Sequence, residues 1–300
     1  MDCYLLLLSM SRISETDLIL NADGSVYHLN LLPGDIAGTV ITVGDPERVG
    51  EVSKYFDRIE LKKSKREFTT HTGYIGDKRL TVLSTGIGTD NIDIVLNELD
   101  ALVNIDLAAR QPRQELQSLN IIRIGTSGAI QADIPVDTLL ISTKAFGMDT
   151  LLHYYQHDGS EEEQQLLTAF KAGLPMAYPF SPYIASADIS LLETLSKDTP
   201  QGITISAPGF YAPQGREVRA RLAAPELTGA IQQFSFGGQR ITNLEMETAG
   251  IYGMASVLCH KAISFNVILA NRVTQTFSTQ PQQIMDTFIQ VILERLTTLK

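Results

Sequence analysis

An alternation constrains this fold more than any other feature. Short apolar runs recur along the chain, and several lead into a glycine and then into a pattern with helical spacing. TVITVG (39–44) reads as a strand; Asp45 then takes an N-cap position, Pro46 opens the first turn, and Val49, Val52 and Phe56 follow at helical spacing. FTTHTGYIGDKRLTVLST (68–85) reads as two strands joined at Gly76-Asp77, and TDNIDIVLNELDALV (89–103) as an amphipathic helix. NIIRIG (120–125), TLLIST (138–143), GITISA (202–207) and SFNVILAN (264–271) are further strands, while 187–197, 245–262 and 281–298 read as helices. This pattern predicts an α/β fold with a mixed, largely parallel central sheet flanked by helices, and at least one antiparallel hairpin. With no repeat, low-complexity tract or linker, the expected organisation is one domain over residues 20–300 preceded by an N-terminal extension, 1–19. The least regular stretch, roughly 145–185, reads as a flap or surface excursion.

Charge narrows the partners. The chain of 300 residues carries a net charge of −10, which disfavours nucleic acid and anionic membrane surfaces but leaves room for a small anion in a locally basic pocket. Its two cysteines, Cys3 and Cys259, belong to no CxxC pair, so neither a disulfide framework nor a zinc knuckle is implied, and a reducing cytoplasm is the expected compartment. The opening MDCYLLLLSM is too short to span a bilayer and lacks the basic region and cleavage site of a signal peptide; Met10 is read as the native start.

Several residues ask for a chemical reason. Arg123 interrupts an apolar strand, and a buried guanidinium needs an anion or several acceptors, either a ligand or an internal Asp or Glu. GTSG follows it directly and reads as a tight turn with two hydroxyls and backbone N–H groups able to face a ligand. In VGDPERVG (43–50), Gly44 lets a ligand approach the backbone, the helix start at Pro46 favours an anion, and Arg48 lies on the first turn. STGIGTDN (84–91) repeats the strand–glycine–helix pattern without the third glycine of a dinucleotide fingerprint, and SKREF (64–68) places Arg66 beside Glu67. GFYAPQGRE (209–217) combines aromatics with Gln214 and Arg216, side chains able to stack on a planar heterocycle and read its edge; a plain polar loop is the alternative. NLEMETAG (243–250) sets Glu245 and Glu247 around Met246 at the start of an apolar helix, as caps or as ligands. H153-x-x-x-H157 has helical metal-ligand spacing but no third ligand, and no nucleophile elbow is present.

Taken in order, YHLNL, GDPERV, KREFTT, STGIG, RIGTSGAI, FYAPQGRE, NLEMET and the Asn271-Arg272 pair resemble the nucleoside phosphorylase-I family, and within it the uridine phosphorylases most closely. The resemblance spans about residues 27 to 272. It implies phosphate binding by Gly44, Arg48, Arg123 and Thr126, with Arg66 completing the pocket of a neighbouring subunit. It implies ribose binding by Met246 and Glu247, the latter at the 2′-hydroxyl, with His28 reaching the 5′-hydroxyl across the same interface. The base would meet Ser127, Gly128, Phe210, Gln214 and Arg216, with Glu245 on its side or behind it. Similar purine enzymes carry an Asp where Arg272 stands; an Arg stays protonated and cannot donate to N7 as an acid, but it can stabilise charge on a departing uracil.

The implied reaction is phosphorolysis of uridine to uracil and ribose 1-phosphate, a step of pyrimidine salvage, with Glu247, Arg272 and Arg123 as the catalytic groups. Inorganic phosphate is the cosubstrate and no organic cofactor is required. Some relatives hold a potassium ion between subunits through groups matching Glu67, Ile87 and Asn91; the family's Ser at the last of these is Asn here. Residues 103–119 are longer than the usual connection and bear on whether the homo-oligomer is a dimer or a hexamer. The rival readings are a purine nucleoside phosphorylase, a hydrolytic nucleosidase and a non-catalytic nucleoside sensor on the same fold.

Overall fold

The computed structural model describes residues 12–175 and 180–299. The opening apolar run and the proposed start at Met10 lie outside them. The chain divides into two compact units, one running to Ile122 and joined by Met254–Lys261, the other comprising Arg123–Gly253 and the residues from Ala262 onward.

In the first unit the strand Thr39–Val43 pairs in parallel with Lys78–Ser84, which pairs antiparallel with Phe68–Ile75. The expected hairpin at Gly76-Asp77 is present, and Gly76 takes the left-handed conformation the turn requires, φ 55°. A fourth strand, Arg58–Lys65, pairs antiparallel with Phe68–Ile75. Its sequence, RIELKKSK, is charged and mostly exposed, as suits an edge, and that composition hid it from apolar-run reading. Asp45 caps the helix Pro46–Ser53 as expected, its carboxylate accepting the Glu47 N–H at 2.9 Å. The helix Thr89–Asn104 buries Ile92, Val95, Leu96, Leu99 and Leu102 along one face. Within 103–119 the chain forms a two-stranded ribbon, Ile105–Asp106 with Gln111–Pro112. Arg110 at its tip accepts the Ile13 N–H at 2.9 Å through its carbonyl and donates through Nη1 to the Leu18 carbonyl at 2.6 Å, tying the start of the described chain to this ribbon.

In the second unit Leu139–Gly147, Gln201–Ser206 and Gln239–Glu245 run parallel as neighbours, and Lys261–Asn271 pairs antiparallel with the first of them. The α/β class with a mixed central sheet stands. Three boundaries differ from the sequence reading. GTSG is no turn but the continuation of one strand, Asn120–Ala129, whose end pairs with Asn243 and Leu244. The helix read over 245–262 is shorter, Thr248–Val257, because Asn243, Leu244 and Glu245 still belong to a strand. The irregular stretch holds a helix, Glu161–Gly173, opened by a reciprocal capping box between Ser160 and Glu163. That helix packs Leu166 and Phe170 into the core, with Phe146 and Phe170 stacked at a centroid distance of 4.2 Å and Phe234 edge-on to both.

Cys3, one of the two cysteines, lies outside the described residues, and the expectation about disulfides falls there with it. Among the described residues no helix is long and apolar enough to cross a membrane.

Candidate active site

The first unit presents candidate residues at strand ends and one hairpin tip. Gly44 follows the strand Thr39–Val43, and a Cβ placed there would meet only the Gly86 carbonyl, at 3.6 Å, so its open side is accessible. Arg48 is half-buried on the first turn of the capped helix, its Nε 3.8 Å from Glu51 Oε2. Arg66 and Glu67 form the two-residue loop between Arg58–Lys65 and Phe68–Ile75. Such a loop needs positive φ, and Arg66 adopts φ 56°, a conformation that costs a non-glycine residue about 1 kcal/mol or more. An exposed arginine at that cost is a functional signal. His28 is held by a residue the motif reading missed. Glu98 Oε1 lies 2.6 Å from His28 Nδ1, and the same carboxylate accepts the backbone N–H groups of His28 and Leu29 at 2.9 and 2.8 Å. With Nδ1 so engaged, Nε2 is the ring atom left to face a ligand. The only sign of Glu98 in the sequence is a carboxylate on the buried face of an amphipathic helix. Glu67 and Asn91 both adjoin Gly86, where a Cβ would collide with the Asn91 amide and lie 3.2 Å from Glu67 Cγ; Ile87 is 69% exposed.

The second unit brings the remaining candidates together around Arg123. Its guanidinium lies over the Cα of Gly125, where any Cβ would collide with it. Nη2 donates to Glu247 Oε2 at 2.6 Å and lies 2.9 Å from Glu245 Oε2, while Nη1 donates to Asn266 Oδ1 at 3.0 Å. All three charged residues are buried. Burial alone would lower the pKa of Arg123, but the charges of Glu245 and Glu247 and the bond to Glu247 outweigh it and leave the pKa raised. The internal-carboxylate alternative for Arg123 is therefore realised, and by the same two glutamates that NLEMETAG singled out. Glu245 ends its strand; Glu247 sits just before the helix Thr248–Val257 with half-buried Met246 between them.

From Arg123 a directional hydrogen-bond chain crosses the sheet. Asn266 Nδ2 donates to Ser142 Oγ at 2.8 Å, Ser142 and Thr204 hydroxyls lie 2.5 Å apart, Thr204 donates to Asn243 Oδ1 at 2.9 Å, and Asn243 Nδ2 donates to Ser127 Oγ at 3.0 Å. The four intermediate side chains are fully buried, so each bond satisfies a group that would otherwise cost stability. Ser127 accepts at the end of this chain, which leaves its O–H to donate. Thr126 is half-buried, and Gly128 lies 3.9 Å from the stem of Arg272.

The base-reading candidates also converge. Arg216 stacks over the Phe210 ring at 3.9 Å and donates through Nη1 to Gln214 Oε1 at 2.6 Å. Arg272 donates through Nη1 to the Gln214 carbonyl. Burial, and then the charge of Arg272, lowers the pKa of Arg216; burial does the same for Arg272. Phe210 itself is 52% exposed. His153 and His157 do not share a helix: the 3-10 turn Leu151–Tyr154 ends before His157, and His153 Nε2 is 2.8 Å from the Ser181 carbonyl. Among the described residues no group of three or more His, Cys, Asp or Glu side chains could hold a metal ion.

A buried arginine set beside two glutamates, and on the same unit a stacked aromatic–guanidinium–amide group, mark this α/β protein. The chain belongs to the Phosphorylase superfamily, whose family model matches residues 39–297. A uridine phosphorylase of Thermococcus kodakarensis is 30% identical over 261 residues, 85% of this chain and 80% of the relative. A purine nucleoside phosphorylase of Tolumonas auensis is 25% identical over 279 residues, covering 89% of this chain and 96% of the relative. Among solved structures, a Trypanosoma brucei nucleoside phosphorylase described as showing uridine phosphorylase activity superposes with a TM-score of 0.86 at 28% identity, covering 94% of this chain and all of that one.

Proposed function

We propose that this chain catalyses the phosphorolysis of uridine, releasing uracil and ribose 1-phosphate for pyrimidine salvage. The observation that carries the choice of base is the half-buried Arg216–Arg272 pair around Gln214. Two neighbouring guanidiniums suit a base that departs with negative charge on its carbonyl oxygens, and neither can act as an acid toward a purine N7. Phosphate is assigned to Gly44, Arg48, Arg123 and Thr126, with Arg66 serving a neighbouring subunit. As the glycosidic bond breaks, phosphate attacks C1′ of an oxocarbenium-like sugar whose 2′-hydroxyl Glu247 fixes; Met246 lies beside the sugar. Gln214, Arg216 and Arg272 take up charge on the base, with Ser127, Gly128 and Phe210 around it. Rate enhancement then comes from positioning and electrostatics, without a covalent intermediate.

The same reading includes a homo-oligomer, dimer or hexamer. It is supported by the exposed hairpin position of Arg66 and by His28, whose side chain is 27% exposed while Glu98 fixes it. It also places a catalytic domain over 20–300, a cytoplasmic location, no organic cofactor, and potassium near Glu67, Ile87 and Asn91. The test is uracil release from uridine with and without inorganic phosphate, with inosine alongside. Phosphate-dependent uracil release with inosine untouched is expected. Inosine turnover alone would reassign the chain as a purine phosphorylase, free ribose would mean hydrolysis, and saturable binding without turnover would mean a sensor.

A further inference from the structure

We propose that Glu245 is not a ligand of the base but a positioning residue. Together with Ser206 it braces the ribose carboxylate and the phosphate arginine into one unit. This rests on the reading that Glu247 holds ribose and Arg123 holds phosphate.

The reason is an inventory of lone pairs. An ionised carboxylate offers about four acceptor sites on its two oxygens. At Glu245 the chain itself supplies four partners. Oε1 accepts the Ser206 hydroxyl at 2.5 Å. Oε2 accepts the backbone N–H groups of Glu247 and Thr248 at 3.0 and 2.9 Å, and Arg123 Nη2 lies 2.9 Å away. Three of these partners share Oε2 and the fourth holds Oε1, and the side chain is almost wholly buried, so a base has no path to it.

The partners show what the carboxylate does instead. By holding the Glu247 N–H it fixes the backbone from which the ribose carboxylate projects. By facing Arg123 it fixes the cation that also binds Glu247. Ser206 closes the arrangement from below, because its oxygen also accepts the Ala249 N–H at 2.8 Å in the first turn of the helix Thr248–Val257. Register explains why these residues meet: Ser206 and Glu245 are partners on parallel neighbouring strands, both at their C-terminal ends. A Ser and a Glu far apart in sequence are thus joined by one rung of the sheet. Groups that must hold a reacting sugar to a fraction of an ångström gain from such support.

The experiment compares Ser206→Ala, Ser206→Thr and Glu245→Gln with the wild-type chain. Measured are kcat and KM for phosphate, the uridine-to-deoxyuridine and uridine-to-cytidine ratios of kcat/KM, and the rise in Tm on adding inorganic phosphate. Ser206→Ala touches no substrate, yet it is expected to lower kcat/KM for phosphate by about tenfold, and Glu245→Gln by about a hundredfold or more. Both should shrink the preference for uridine over deoxyuridine and leave the uridine-to-cytidine ratio unchanged, while Ser206→Thr, which keeps the hydroxyl, restores most of the loss. Wild-type behaviour of Ser206→Ala would overturn the brace. So would a changed base ratio in Glu245→Gln, which would return Glu245 to the base. If the wild-type chain phosphorolyses no nucleoside, the activity reading fails separately, and the brace is judged by the phosphate-induced Tm rise. That rise should be smaller in Ser206→Ala; an equal rise, or none in wild type, overturns it.

Discussion

Replacing Arg123 by Met tests how the buried charge cluster is balanced. Met approximates the length of the arginine stem and carries no charge. The variant leaves Glu245 and Glu247 buried together, each having lost a cation at 2.9 and 2.6 Å respectively. Breaking a buried ion pair on one side typically costs about 3–5 kcal/mol, because the remaining charge has neither water nor partner. Glu245 keeps its bonds from two backbone N–H groups and Ser206, which places the expected loss toward the lower end, about 3 kcal/mol. For a chain of this size that corresponds to a fall in Tm of roughly 5–10 °C. The deficit should narrow on acidification, since protonating a carboxylate removes the uncompensated charge. Adding Glu245→Gln and Glu247→Gln to Arg123→Met should recover most of the stability and none of the activity. Urea unfolding at neutral and mildly acid pH, with single-turnover assays on the same preparations, separates these effects. Stability of Arg123→Met within about 1 kcal/mol of wild type would refute the view that this arginine compensates both glutamates.

Arg272→Asp is expected to abolish uridine turnover by about a hundredfold or more while phosphate-induced stabilisation persists; unchanged turnover would remove Arg272 from the mechanism. Glu98→Gln should raise KM for uridine several-fold at nearly constant kcat, because His28 loses the charged partner at Nδ1; an unaltered KM would separate His28 from the nucleoside. His71, whose Nδ1 is 2.7 Å from the Ser53 hydroxyl, has its pKa lowered by burial and then by Lys62. A histidine with a depressed folded pKa stabilises the fold fully above its unfolded value of about 6.5 and loses that contribution as pH falls through the folded value. Urea midpoints of wild type should therefore drop between pH 7.5 and 5.5 by more than those of His71→Gln, and parallel curves would count against it.

Much of this protein was legible from local chemistry. Apolar period and capping determine the strand Thr39–Val43 and the helix after it, because Asp45 and Pro46 act within a few residues. Gly76-Asp77 sets its hairpin for the same reason. The motif residues, carried by their order along the chain, name the groups that the second unit gathers around Arg123 and around Gln214. What failed were readings in which a local signal competes with a sheet partner. GTSG carries turn chemistry yet extends a strand, since Ala129 and Gly128 pair with Asn243 and Leu244. NLE has helical neighbours yet finishes a strand, since Ser206 and Glu245 stand side by side.

The sequence by itself therefore determined which residue types are available and in what order: an arginine in an apolar strand, two glutamates around Met246, and the amide of Gln214 with Arg216 and Arg272. Tertiary structure alone decided their partners. Glu98 beneath His28, Ser206 beneath Glu245, and the buried chain from Asn266 to Ser127 join residues far apart in sequence. Hydrogen bonds of a few ångströms depend on strand register, and register is a property of the whole sheet, not of any segment within it.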